Sequence, residues 1–584
     1  MESRYSNAFV SKLLKEVAAA YEVTGEDRFR IRAYQNAATA IEHATSEVKD
    51  LWEEGKLTEI PGIGSSIAGH LDEYFRTGKV RHFEASFNKL PGGMFGLFGI
   101  HGIGAKTAYR LAKELNIKRR EDSLEVVKKA ALEGKISQIE GFGEQKEKEI
   151  LEAIEKLKPN KEGRKRLLLP TASWVSEKIS NYMRGIKEVL DIKPLGSLRR
   201  RVVTVGDIDF AVSTRSANKV IDHFVSFPDT SEILNKGDVK ASILLKSGVR
   251  VDLMTEKPDA FGALLQHFTG SKAHNISLRK FALEKSYSLS EHGIKVKGKV
   301  KEFSDEESFY SFLGLAYIEP ELREDSGEIE AAKVKKLPKL IELKDIRGDL
   351  HLHTNFSDGN NTLDEMVKKA REFKYEYIGI SDHAPSINSR GEKEVLSLIN
   401  KTKKHIESIN NSNDSMRVLF GYEVNILTDV SVSLPDDYLK ILDYAIGSIH
   451  TSFNQSKEKI TERLTYAIKN PYIGFIAHPS GRLLEQRDSY EVDWEKVFKE
   501  VLERNKILEI NAHPERLDLP DMLVREAVKK GVKLIINTDA HDLEDYSLMR
   551  YGIDVARRGW VESRSVVNTL PLKEFLKVFS RKFL

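Results

Sequence analysis

Cysteine is absent from this chain of 584 residues. Disulfides and thiolate metal sites are therefore excluded, so any bound metal must be held by imidazole and carboxylate, and a cytoplasmic location fits. Long apolar runs are also missing, which excludes a helical membrane span. The opening "MESRYSNAFVSKLLKEV" lacks the basic-then-apolar layout of a secretory signal. Strong charge of one sign is lacking as well: the formal net charge is +3. A polyanionic partner must then be gripped by local basic patches and backbone donors, not by the overall field. Histidine is sparse, with 16 residues in all, so its clustering carries information.

What is present is a globular composition, 40% apolar and 31% charged, in a chain long enough for several domains. Residues 1–160 read as helical, broken by short glycine turns, with apolar residues at helical spacing in "AFVSKLLKEVAAAYEV" and "EKEILEAIEKL". Residues 165–260 turn to mixed character, with strand-like "TVGDIDFAVS" and "RVDLMTE". A charged stretch, residues 319–345, reads as a connector whose apolar residues imply that it packs on a neighbour. From residue 347 strands and helices alternate. Seven strands are expected, in "GDLHLHT", "YIGISDH", "VLFGYEV", "YAIGSIH", "IGFIAHP", "ILEIN" and "KLIINTDAH", and they point to a parallel sheet, most simply a closed barrel.

The polar residues of those strands gather at the carboxyl ends. His351 and His353 end the first, with Asp358 in the loop that follows. His383, Glu423, His450 and His478 end the next four, and Asp539 and His541 the last. Barrels of this type carry their active sites on that rim, and residues two apart on a strand face one side. Nine nitrogen and oxygen donors are too many for one ion but suit two or three. Imidazole favours zinc, manganese or iron over magnesium alone, and clustered metals suit phosphate ester hydrolysis. Any one of these histidines could be an ordinary residue near a strand end; the whole set on one rim argues otherwise. His405, His513 and Asn511 read as surface or supporting residues. From "GDLHLHT" through "NTDAH" the sequence resembles the polymerase and histidinol phosphatase (PHP) superfamily. That resemblance implies a distorted seven-stranded barrel with a trinuclear phosphoesterase centre, here holding three manganese or zinc ions.

A second constellation lies in "LGSLRRRVVTVGDIDFAV" (195–212). Asp207 and Asp209 alternate on a strand and present both carboxylates to one face. Asp252 sits in another apolar strand, where an unpaired carboxylate would be costly. Three such groups can hold two magnesium ions astride a phosphoryl group. Gly196 and Ser197 allow backbone donors to approach a triphosphate, and the arginines beside them add charge. The order "GSLRR…GDID…RVDL…HFTGS…N…R" resembles the family X DNA polymerases across residues 1–320. By that resemblance Asp207, Asp209 and Asp252 are the catalytic, metal-binding carboxylates. Asp252 would also take the proton of the primer 3′-hydroxyl, oriented by Arg250. Gly196, Ser197 and Arg200 would meet the triphosphate, and the His267, Phe268 and Gly270 turn would lie under the sugar. Asn275 and Arg279 would face the nascent base pair. His267 stands where the vertebrate repair members have tyrosine, so discrimination against ribonucleotides does not transfer.

At the front, "IPGIGSSIAGHL" (60–71) and "IHGIGAKTAYRL" (100–111) repeat one design, with "IEGFGEQKEKEI" (139–150) a looser third copy. Each glycine turn (Gly62 and Gly64, Gly102 and Gly104, Gly141 and Gly143) leads into a helix whose first amides can hold a phosphate without reading sequence. These turns resemble helix-hairpin-helix motifs. Lys106, Lys146 and the run "KPNKEGRKR" (158–166) can add charge contacts. In the repair polymerases a lysine near the first hairpin forms a Schiff base with a deoxyribose phosphate. The matching position here is His70, with Ser66 at the neighbouring family lysine, so lyase chemistry is expected to be weak or absent.

The expected layout is an α-helical hairpin region, an α+β nucleotidyltransferase palm with its subdomain, and an α/β barrel. In residues these are 1–85, 86–160, 161–258, 259–320, a linker at 321–346, and 347–576. Gapped or primer-template DNA and deoxynucleoside triphosphates are the expected partners, with no membrane and no obligate protein. The rival readings are a small-molecule phosphatase on a DNA-binding front end, a DNA-end scaffold, and a template-independent nucleotidyltransferase.

Overall fold

The computed structural model describes residues 7–42, 48–53, 55–60, 62–98, 103–156, 166–412 and 416–583. They form two compact units: residues 1–164 with the short segments 385–396 and 450–454, and the remainder of the chain.

The first unit is helical, with α1 (Asn7–Thr24), α2 (Arg28–Glu42), α3 (Ser65–Thr77), α4 (Ala105–Glu114), α5 (Ser123–Leu132) and α6 (Glu144–Lys156). Val10, Leu14, Val17 and Tyr21 recur every three to four residues along α1 and close on Tyr34, Ala38 and Ile41 of α2 and Ile67 and Leu71 of α3. A separate core gathers Leu97, Ile103, Ala108, Leu111, Val127 and Ile150. Each small core thus serves its own hairpin region.

The second unit contains a five-stranded sheet: β1 (Asp191–Pro194), β2 (Ile208–Ser213), β3 (Thr230–Lys236), β4 (Lys240–Leu245) and β5 (Arg250–Glu256). Its spatial order is β1-β2-β5-β4-β3, and the central pair β2–β5 is the parallel one. Helices α7 (Phe261–Thr269) and α8 (Lys272–Leu283) follow. The charged stretch 319–345 packs, as its apolar residues imply. Leu322, Ile329, Ala332 and Leu340 join a core with Leu278, Phe309 and Tyr310. Arg323 is fully buried in it, paired with Glu306 at 2.6 Å and donating to the Ile318 carbonyl at 2.9 Å.

The barrel strands are β6 (Gly348–Leu352), β7 (Tyr377–Ile380), β8 (Arg417–Asn425), β9 (Tyr444–Ser448), β10 (Ile473–Ile476), β11 (Ile507–Asn511) and β12 (Lys533–Asn537). All are parallel and pair in sequence order. The seam between β12 and β6 is closed at the carboxyl end by two bonds, His353 N–H to the Ala540 carbonyl (2.9 Å) and Ala540 N–H to the His351 carbonyl (3.3 Å). The barrel is therefore nearly closed and distorted at that seam. Leu350, Tyr377, Tyr444, Phe475, Ile507 and Ile535 fill the interior with Phe575, leaving the polar residues to the carboxyl-terminal rim. Helix α9 (Met549–Arg558) packs outside, and Gly552 permits the approach, since a Cβ there would meet Ile536 Cγ2 at 2.5 Å. Among the described residues no helix is long and apolar enough to cross a membrane.

Candidate active sites

The carboxyl ends of β6, β7, β8, β10 and β12 bring eight of the nine expected donors together. Asp539 Oδ1 lies 3.3 Å from His351 Nε2 and 3.2 Å from His353 Nε2. Glu423 reaches four imidazoles: His351 and His353 Nε2 at 3.6 and 3.7 Å, His383 Nδ1 at 3.1 Å and His478 Nε2 at 2.9 Å. Asp358 Oδ2 is 3.4 Å from both His383 Nε2 and His541 Nε2. Within each of three groups the ligand atoms lie inside 4.8 Å: His353, Asp358, His383 and His541; His351, Glu423 and His478; His351, His353 and Asp539. His450 stands two residues beyond Ser448, the last of β9. Asp539 and His478 adopt left-handed backbone, with φ of 56° and 30°, a costly conformation for residues other than glycine and a mark of functional sites.

The electrostatics follow from packing unlike charges out of water. Burial alone would raise Asp539, but His351, His353, His541 and Arg516 outweigh it and hold the carboxyl well below its usual range. Burial likewise opposes charge on His541, yet Asp358 and Asp539 push it up to about 9, while burial takes His383 down to about 4. His351 Nε2 and both ring nitrogens of His353 are buried with no hydrogen bond. Buried imidazole nitrogens that face carboxylate oxygens without forming well-aligned hydrogen bonds to them are a ligand set that suits divalent cations.

A supporting shell holds these ligands. Glu509 Oε1 is 2.8 Å from His351 Nδ1, and Oε2 accepts from the His478 amide at 2.8 Å. Asn537 and Asn511 donate to Glu509 at 2.9 and 3.1 Å, and Asn511 also donates to Asp539 Oδ2 at 3.1 Å. Asp382 accepts from Thr354 and Ser357, each at 2.8 Å. Arg516 Nε lies 3.3 Å from Asp539 Oδ2. Glu509, Asp382 and Arg516 are absent from the sequence reading. Glu509 was detectable: a carboxylate inside the apolar strand "ILEIN" requires a buried partner. Asn511 is a buried bridging residue, whereas His405 is half-buried and faces Asp364 at 3.2 Å. His513 is half-buried; its Nδ1 accepts from the Glu515 amide at 3.4 Å.

In the palm, the β2–β5 register sets Asp209 directly beside Asp252. Asp207 lies just before β2. Burial, then the charges of Asp207 and Asp252, lift Asp209 to about 6, the signature of carboxylates crowded without sufficient counter-charge. Arg250 Nε lies 2.9 Å from Asp252 Oδ2, and Ser242 donates to Oδ1. Gly196, with φ of 57°, opens the helical turn Gly196–Arg199, which also carries Ser197, and a Cβ on it would stand 3.5 Å from Asp209 Oδ2. Arg200 Nη1 donates to the Thr269 carbonyl at 2.5 Å, joining this turn to the segment His267, Phe268, Gly270. Asn275 donates to the His267 carbonyl at 2.7 Å and accepts from Gln266 at 2.8 Å. Arg279 is exposed on α8.

In the helical unit, α3, α4 and α6 begin directly after Gly64, Gly104 and Gly143. Gly64 and Gly104 share one conformation (φ −84°, ψ 171° and φ −80°, ψ 174°), and no atom lies within 4 Å of a Cβ built on any of the three. Gly62 and Gly141 take left-handed φ of 90° and 79°. Lys106 is exposed and Lys146 pairs with Glu149 at 3.3 Å. Gly102 and residues 158–165 of the basic run lie outside the described residues. His70 Nδ1 is 2.6 Å from the Tyr34 hydroxyl and its ring stacks on His82 at 5.3 Å. Burial and the His82 charge hold His70 below its usual value.

Helical hairpins, a carboxylate-bearing palm and a rim of imidazoles and carboxylates on a parallel barrel define a two-site enzyme of phosphoryl chemistry. Family comparisons agree, matching a helix-hairpin-helix domain at residues 6–80 and a SAM-like helix-hairpin-helix tandem at 96–156. The DNA polymerase beta thumb matches residues 264–324 and the PHP domain residues 349–513. A DNA polymerase/3′-5′ exonuclease PolX of Bacillus subtilis is 33% identical over 577 residues, covering 97% of this chain and 99% of its own. A probable phosphatase of Thermoanaerobacter sp. (strain X514) is 29% identical over 248 residues, 40% of this chain and 96% of that protein. A probable phosphatase of Acetivibrio thermocellus is 30% identical over 203 residues, 33% of this chain and 78% of that protein. The chain belongs to the family X DNA polymerases that carry a PHP domain. Enzymes of this kind are metal-dependent and bind DNA.

Proposed function

We propose that this enzyme fills short gaps during DNA repair, adding templated deoxynucleotides at the palm and removing 3′ nucleotides at the barrel. The observation that carries the reading is the presence on one chain of two distinct donor clusters. One is the Asp209–Asp252 register pair with Asp207, and the other is the barrel-rim set around Glu423 and Asp539. Asp207, Asp209 and Asp252 would hold two magnesium ions, which supply charge neutralisation for the triphosphate and the attacking hydroxyl. Arg250 orients Asp252, which accepts the proton of the primer 3′-hydroxyl. The turn Gly196, Ser197 and Arg200 receives the triphosphate, the segment His267–Gly270 lies under the sugar, and Asn275 and Arg279 border the new base pair.

At the barrel His351, His353, Asp358, His383, Glu423, His450, His478, Asp539 and His541 would hold three manganese or zinc ions. Those ions supply activated water and a grip on the phosphodiester. Abasic-site endonuclease and 3′-phosphatase activities fall within the same chemistry. Gly62, Gly64, Gly102, Gly104, Gly141 and Gly143, with Lys106, hold the phosphate backbone without reading sequence. In this reading the enzyme works in the cytoplasm on gapped or primer-template DNA. A 5′-labelled gapped duplex, incubated with and without nucleotides while magnesium and manganese are titrated separately, reports both activities. Asp207→Ala should abolish extension and spare digestion, and His351→Ala should do the reverse. Loss of both activities from either change would refute the two-site reading.

A further inference from the structure

One face of α9 meets the turn that carries Arg200 and the connector at residues 319–345. On α9, Asp554, Arg557 and Arg558 stand three and four positions apart and so share a face. Arg557 Nε pairs with Glu321 at 2.8 Å, and Asp554 Oδ1 lies 3.7 Å from Arg201 Nε. Arg558 makes the densest set. Its Nη1 donates to the Arg200 carbonyl at 2.8 Å and to Glu324 Oε1 at 3.0 Å, while its other edge pairs with Asp521 at 2.6 Å. The same Glu324 oxygen accepts from Arg200 Nε at 2.9 Å. One carboxylate oxygen therefore bridges two guanidiniums, one from the barrel and one from the nucleotide turn. Arg558 is 8% exposed and Arg200 is 14% exposed, so water screens the arrangement only partly.

We propose that Arg558 and Glu324 are positioning residues for the polymerase reaction, through which the barrel holds Arg200 ready for the triphosphate. The inference rests on the reading of Arg200 as a triphosphate-binding residue. Glu324 and the Thr269 carbonyl occupy Arg200 Nε and Nη1, which leaves Nη2 for an incoming anion. Arg558 serves two ends. It anchors the backbone of Arg200 directly, and it shares the charge of Glu324, which without it would act as a dedicated counter-ion of Arg200 and compete with the triphosphate. Asp521 neutralises the remaining charge of Arg558. The opposite side of α9 lies against Ile536 of β12, three residues before Asp539, so one rigid helix spans from a barrel metal strand to the nucleotide turn.

The test is steady-state extension of a gapped duplex by the full chain, together with digestion of the same labelled strand without nucleotides. Arg558→Met should raise the KM for the nucleotide roughly tenfold, the scale of one lost charge-assisted bond, with kcat and digestion within about twofold. Arg558→Lys should recover part of the loss, because an ammonium can still face Glu324. The double variant Arg558→Met/Glu324→Gln should fall short of the summed effects, since the two residues act through one guanidinium. An unchanged KM in Arg558→Met, or a parallel fall in extension and digestion with no recovery in Arg558→Lys, would overturn the proposal. Arg200→Met keeps the premise separate: if that variant binds nucleotide normally, the reading of Arg200 itself fails; if it raises KM while Arg558→Met does not, only the positioning role is lost.

Discussion

Glu509 Oε1 lies 2.8 Å from Nδ1 of His351, inside a barrel where both side chains are wholly inaccessible to water. The bond fixes the ring orientation and turns Nε2 toward Asp539, while Glu509 itself is held by Asn537 and Asn511.

A carboxylate that orients a ligand imidazole raises its basicity, and its loss commonly weakens metal binding by about 10- to 100-fold. Glu509→Gln should therefore raise the manganese concentration for half-maximal digestion by that factor and leave primer extension unchanged. Manganese titration of both activities on one preparation checks it; an unshifted titration would remove Glu509 from the metal site's support.

The hairpin glycines separate backbone strain from ligand access. Gly104 has φ of −80° and open space where a Cβ would project, so Gly104→Ala is sterically free and costs only about 1 kcal/mol as a poorer helix cap. A phosphate resting on the first amides of α4 would meet the new methyl. The variant should keep its melting temperature within a few degrees and lose several-fold in affinity for duplex DNA. Gly62→Ala, at φ of 90°, should lower stability as well. Fluorescence anisotropy beside thermal melting distinguishes the two; equal DNA affinity in Gly104→Ala would mean that this hairpin does not touch phosphate.

The legible parts of the sequence were those whose physics is local. Alternation along "GDLHLHT" places His351 and His353 on one side of a strand, and a polar residue ending an otherwise apolar strand marks the barrel rim. Asp207 and Asp209 are read in the same way. Grouping Asp252 with them took the chemistry of a shared metal site and the family resemblance, because the register that sets it beside Asp209 joins residues more than 40 positions apart. What escaped depends on which segments become neighbours: no local pattern shows that Glu324 lies between Arg200 and Arg558. The apolar residues of the stretch 319–345 imply that it packs, but not that the charged Arg323 and Glu328 are buried as fully as any of them, because Glu306 and His274 receive them. Composition cannot reveal a partner supplied by tertiary structure.

By the resemblance to the lyase-competent repair polymerases, His70 would stand at their Schiff-base position; it is bound to Tyr34 and stacked on His82. An imidazole cannot form the iminium with a sugar aldehyde. Borohydride treatment with a 5′-deoxyribose phosphate end should leave no adduct in the peptide containing His70. A trapped adduct mapped by mass spectrometry to α3 would contradict this.

Asp209 links the palm's chemistry to stability. Burial and then the charges of Asp207 and Asp252 lift its carboxyl from 3.8 to about 6, so the folded metal-free protein holds a proton there that the unfolded chain releases near pH 4. Between those values the native state binds more protons than the unfolded one, and stability falls as pH rises through the window and stays reduced above it. Removing the charge should then help only at higher pH. Asp209→Asn in EDTA is expected to melt higher than the parent at pH 7.5 and equally at pH 4. Magnesium at pH 7.5 should raise the parent more than the variant, since the parent alone offers the complete carboxylate set. Thermal melts at both pH values, with and without magnesium, measure all of this. A gain at pH 4 as large as that at pH 7.5 would show that the substitution acts through packing, and the crowding of the three carboxylates would not be the source of the instability.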